Sequence, residues 1–197
     1  MNNDALSSTA LSIQTIYSVF LALSLGEAFR QFVAENPNET DRKIHWDRTL
    51  NLFSFLLLIV PFFHGMNRYL FDIYINSPRP NPYSGFLLID SVAFTFEGSF
   101  FFILARSLPR IQWRSFYLTV VFLLVLDVVW GGIVWLFHSS VIKPWFVINL
   151  SAFPLILLIL WLVKSKTSWR GPILCALIVL IRTTLDYILS WNIYFPH

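Results

Sequence analysis

Residues 116–137 read FYLTVVFLLVLDVVWGGIVWLF. The run carries a single ionisable group, Asp127, and shows no alternation of apolar and polar residues. A helix of this length extends roughly 33 Å at about 1.5 Å per residue, enough to cross a hydrocarbon core of about 30 Å. A membrane barrel strand would instead alternate over about ten residues. A helix also satisfies every backbone group within its own segment, as lipid demands. Gly131-Gly132 beside Trp130 predicts close packing or a bend in this span.

Working outward, five further apolar runs have the same character. They lie at about 12–33, 49–75, 85–108, 145–163 and 172–195. Breakers and caps punctuate the joins: Asn36-Pro37-Asn38, Ser77-Pro78-Arg79-Pro80-Asn81-Pro82, Pro109, Pro144 and Gly171-Pro172. The expected fold is all-α, a polytopic six-transmembrane-helix bundle forming one domain over residues 1–197. Met1-Asn2-Asn3-Asp4 lacks the basic start of a signal peptide, so the first run reads as a true span.

Composition agrees. Of 197 residues, 56% are hydrophobic and only 13% charged, against about 25% charged in ordinary soluble domains. This excludes a soluble enzyme, a nucleic-acid-binding domain and a disordered chain. The single cysteine, Cys175, excludes an internal disulfide and Cys-rich metal sites.

Basic residues set the expected orientation. Arg30, Arg42, Lys43, Arg48, Arg106, Arg110, Arg114, Lys164, Lys166 and Arg170 fall after spans one, three and five, whereas Arg68, Arg79 and Lys143 fall on the other side. Ten against three predicts that the first group is cytoplasmic and both termini are not. Trp46, Trp113 and Trp169 would mark the basic interface, with Tyr74, Tyr83, Trp145 and Tyr194 at the opposite one. Arg42, Lys43, Arg106, Arg110, Arg114, Lys164, Lys166 and Arg170 are candidate contacts for anionic lipid or for a cytoplasmic protein partner.

Charges inside the spans carry the functional expectation. Glu27, His64, Asp90, Glu97, Asp127, Arg182 and Asp186 all fall within apolar runs, where an ionisable group costs about 2.5–3.5 kcal/mol at the bilayer centre. Asp90 and Glu97, seven apart, share a helix face with Phe94 and Phe101. Arg68–Asp72 and Arg182–Asp186 are spaced for i,i+4 pairs. At about 1.5 Å per residue, His64, Asp90 and Asp186 form an outer layer, Glu97, Asp127 and Arg182 a middle one, and Glu27 an inner one. Five acids face one certain cation, Arg182, and one titratable base, His64. The surplus acids must be protonated, hold a cation or face water. Interhelical hydrogen bonding offers a purely structural alternative.

Other chemistries lack their residues. Bis-histidine haem needs two intramembrane histidines and the chain has only His64 there; no HExxH helix and no Gly-rich phosphate loop occur. No cofactor and no metal are expected. Pro61 and Pro154 lie inside spans two and five; tolerated prolines in otherwise ordinary helices are the default reading, and the alternative, since broken helices mark binding sites in many transporters and Glu27 and Asp127 open the two halves, is an inverted three-helix repeat.

The expected function is ion or proton conduction, or ion coupling, along the acidic and His polar pathway, with a homo-oligomer if a pore is required. The alternative is a non-catalytic sensor, effector or anchoring subunit of a multi-protein system, bacterial antiviral defence being one example, acting through the basic cytoplasmic loops. A membrane lipid enzyme is a third class, without catalytic spacing to support it. The expected location is the plasma membrane, as in a bacterial inner membrane, with the bilayer as first partner and no nucleic acid.

Overall fold

The computed structural model describes residues 3–33, 46–76, 84–108, 113–137, 142–163 and 169–195. These form seven α-helices: α1 (Asn3–Val33), α2 (Trp46–Leu70), α3 (Ser84–Ser107), α4 (Trp113–Phe137), α5 (Lys143–Leu162), α6 (Arg170–Leu189) and the single turn α7 (Trp191–Tyr194). A π-helical turn, Phe71–Ile75, extends α2. α1 to α6 are long and apolar enough to cross a membrane.

The helices close a ring. α1 packs on α3 and α2, α3 on α4, α4 on α5, α5 on α6, and α6 returns to α2. α2 also touches α3 and α4, which makes it the most buried span, while α1 is the least buried. The two halves pack differently: α1 lies along α3, whereas the corresponding α4 and α6 barely meet. Inverted three-helix repeats would require matching contacts, so that expectation fails.

Two ends of the sequence reading shift. α1 starts nine residues before residue 12, because Leu6 and Ala10 are buried and Ser7 Oγ donates to the Tyr74 carbonyl at 3.3 Å. The sixth span stops at Leu189, where Ser190 leaves helical geometry (φ −105°, ψ 17°) and α7 turns back onto the bundle.

The outer surface is apolar on every span. Leu23, Val60, Leu88, Leu136, Trp161 and Ile181 are all more than half exposed, a distribution that suits lipid and not water. Exposed hydroxyls turn back onto their own helices. Thr15, Thr95, Ser99, Ser151 and Thr184 each donate to the carbonyl four residues earlier at 2.7–2.9 Å, so these hydroxyl protons are satisfied within their own helices.

Neither internal proline breaks its helix. Pro61 has no N–H, so the Leu57 carbonyl loses its helical donor. The Thr183 hydroxyl of α6 takes that place at 2.8 Å. Gly98 admits Phe20 of α1, whose Cβ would sit 2.9 Å from any Cβ added there. Gly131 and Gly132 pack against Phe146 of α5, which bears out the packing reading of that pair. Gly171 packs under the Trp113 ring. Trp113 is therefore buried within the bundle and does not face outward, and Tyr74, Trp145 and Tyr194 are likewise buried. Trp46 and Trp169 are exposed; Tyr83 lies outside the described residues.

Candidate functional site

The polar core is assembled from one side chain or two per helix. Asp90, Glu97, Phe94 and Phe101 of α3 all point inward and are at most 2% exposed, as their spacing predicts. Asp127 of α4, Asn149 of α5, and Arg182 and Asp186 of α6 are buried with them.

Arg182 organises one side. Its Nη1 lies 2.9 Å from Asp186 Oδ2, and its Nε donates to Asn149 Oδ1 at 2.7 Å. Its guanidinium stacks 5.1 Å from the Phe62 ring centroid. Asn149 passes the connection on, donating through Nδ2 to Asp127 Oδ2. Asp186 also accepts from the Tyr194 hydroxyl at 2.9 Å. Gly65 leaves room for that hydroxyl, which lies 3.3 Å from where a Cβ would stand.

Glu97 lies on the other side of Asp127. Its Oε2 accepts from Tyr17 of α1 at 3.3 Å, and no N–H or O–H donor among the described residues reaches its Oε1. The Glu97 and Asp127 carboxyls, on the adjoining helices α3 and α4, border the same space. Two carboxylates facing one small space repel, and a proton held by one of them removes that repulsion. Around them is a cavity of about 30 Å³, bordered also by Asn149, Arg182, Asp186 and Trp130. That volume holds one or two waters by the usual requirement of about 10–15 Å³ each.

Asp90 forms a separate station. It accepts from Tyr74 at 2.6 Å, Trp130 Nε1 at 2.8 Å and Tyr69 at 3.0 Å. Trp130 stands between it and the cavity, bonding Asp90 while bordering the space beside Glu97. His64 is half-buried and stacks on Tyr194 with ring centroids 4.6 Å apart. It thus reaches the cluster through Tyr194 and does not border the cavity.

Glu27 stands apart from the cluster. It is held at the other end of α1 by Arg30 at 2.7 Å and Gln31 at 2.7 Å. Arg68 pairs with Asp72 at 3.1 Å, as spaced, and also donates to the Ile193 carbonyl at 2.9 Å, fixing α7. Of the basic candidates, Arg114 caps α5 by donating to the Leu160 and Val163 carbonyls at 2.6 and 3.0 Å. Arg106 and Arg170 are exposed. Arg42, Lys43, Arg110, Lys164 and Lys166 lie outside the described residues.

Asn149, Tyr17, Tyr69, Tyr74, Trp130 and Tyr194 belong to the site and were missed by a search for ionisable groups. Asn149 had a legible signal, a lone amide within an apolar run. The aromatic donors had none, being indistinguishable from interface residues until packed. Among the described residues, no group of three His, Cys, Asp or Glu side chains is placed to hold a metal ion. Comparison with protein-family models, curated proteins and solved structures returns no match.

Proposed function

We propose that this chain is a multi-pass membrane protein that handles protons, conducting them or coupling their binding to another step, through the Glu97–Asp127 pair. The observation that carries the reading is that pair: two buried carboxyls bordering one small space with room for one or two waters. Glu97, Asp127 and Asp186 share a single guanidinium, Arg182, which ion-pairs with Asp186. The carboxyl pair is left to balance its charge with a proton. A space this small favours a proton over a hydrated metal ion, which narrows the expectation of general ion transport. The site is complete within one bundle, so the reading needs no oligomer. The helix ends bearing Arg30, Arg106, Arg114 and Arg170 fall together, since Arg114 caps α5 and Trp113 packs on Gly171. The positive-inside bias then favours a plasma-membrane protein, as in a bacterial inner membrane, with both termini outside the cytoplasm.

The test is proton flux into liposomes holding the purified chain, driven by a potassium gradient and followed from about pH 5.5 to 8, the range that brackets an ordinary histidine. Flux in the wild type, lost in Glu97→Gln/Asp127→Asn with fold intact by circular dichroism, is the expected result. Tight vesicles with folded wild-type protein would overturn the conduction reading. Proton uptake on titration would then separate coupling from a purely structural pair. Absence of both would favour the sensor or anchoring-subunit alternative.

A further inference from the structure

A second polar space lies away from the buried cluster, at the basic end of the bundle. It measures about 400 Å³, opens between α1, α3 and α4, and is bordered by Gln31, Ile103, Arg106, Ser107, Ser115 and Thr119. It holds a cation, Arg106, on a surface that is mostly apolar. It sits where α3 ends and α4 begins, the depth of a headgroup in a spanning bundle.

The hydrogen bonding sorts its lining. Ser107 and Thr119 donate to the carbonyls of Leu104 and Ser115, so their protons are already committed. Gln31 uses one amide proton on Glu27 and keeps a second. The Arg106 guanidinium and the Ser115 hydroxyl make no side-chain hydrogen bond or ion pair among the described residues. Glu27, the acid nearest Arg106, is already neutralised by Arg30 at 2.7 Å. Arg114, on the same helix end, is used by the α5 carbonyls. Among the described residues, a guanidinium with no ion pair within 4 Å and donors with protons to spare therefore meet in one recess.

We infer that this recess is a binding site for the phosphate group of an anionic membrane lipid. A planar guanidinium with a hydroxyl and an amide beside it matches a tetrahedral oxyanion. Basic pockets between spans are the usual form of such sites. Ile103, half exposed at the recess, offers the apolar surface an acyl chain needs. A free phosphate ion presents the same oxygens but has no use for that surface. The inference is independent of the proton reading, since none of these residues belongs to the buried cluster.

The experiment is native mass spectrometry of the delipidated full chain with phosphatidylglycerol, with phosphatidylcholine and with inorganic phosphate, each alone and in competition. Selective retention of phosphatidylglycerol is expected. It should weaken about tenfold in Arg106→Gln, the loss of one charge-assisted contact, and less in Ser115→Ala. Lys143→Gln, an exposed cation at the opposite end of the bundle, should leave it unchanged. Arg106 is exposed, so its variant should keep the wild-type melting temperature. Equal retention of both lipids by the wild type would overturn the inference, as would equal losses in the Arg106 and Lys143 variants. Arg106-dependent binding of inorganic phosphate without lipid preference would overturn the lipid occupant.

Discussion

Replacing Thr183 with valine removes one hydroxyl and little else, because the two side chains have nearly the same shape. In the wild type that hydroxyl donates 2.8 Å to the Leu57 carbonyl, which Pro61 deprives of its helical partner. Thr183 is 8% exposed, so water cannot readily substitute. Interhelical hydrogen bonds in membrane proteins average about 0.6 kcal/mol and reach about 1.7. A carbonyl left wholly unsatisfied lies toward the upper end, so Thr183→Val should cost about 1–1.5 kcal/mol. Proline to alanine at position 61 restores a backbone N–H four residues after Leu57. In the Pro61→Ala background the carbonyl regains a donor, and Thr183→Val should cost under about 0.5 kcal/mol. The difference is a coupling energy of about 1 kcal/mol. It is measured as a double-mutant cycle of unfolding in mixed micelles, followed by the fluorescence of the eight tryptophans. Equal costs of Thr183→Val in the two backgrounds would refute the assignment of that carbonyl to the proline.

Two further outcomes follow from the packing. Arg182→Met strands Asp186 and Asn149 in the core and should destabilise by about 3–5 kcal/mol; Arg182→Met/Asp186→Leu should recover at least about 1 kcal/mol of that by the same unfolding measurement, and a double variant worse than the sum of the singles would contradict the pairing. Gly98→Ala drives a methyl to 2.9 Å from Phe20 Cβ and should cost about 1–3 kcal/mol, whereas Gly26→Ala, with nothing within 4 Å, should be neutral or stabilising by thermal melting.

The residues differ in how openly they announced their roles. Asp90, Glu97, Arg182 and Asp186 could be placed on inward stripes and in an i,i+4 pair because helical period alone fixes which side chains share a face. Glu27 looks the same in sequence, an acid within an apolar run. It belongs to a different neighbourhood because Arg30 and Gln31 on its own helix hold it at the basic end. Tyr194 reads as an interface aromatic and turns out to cap Asp186, since Ser190 ends α6 and turns the chain back. No local pattern states that turn's direction.

The sequence by itself determined the class of solvent, the number of spans and their approximate limits. Those follow from segment length and hydropathy, which the bilayer reads one helix at a time. It also determined which groups would be expensive to bury. Only the tertiary structure decided which helices adjoin, and so which charges meet. Glu97 with Asp127, Arg182 through Asn149 to Asp127, and Thr183 with Leu57 each join different helices at sequence separations of 126 residues or fewer. Lipid faces all six spans alike, so hydropathy cannot rank one neighbour over another. That choice falls to close contacts such as Phe20 at Gly98 and Trp113 at Gly171, and to the few polar groups that must find one another in the core.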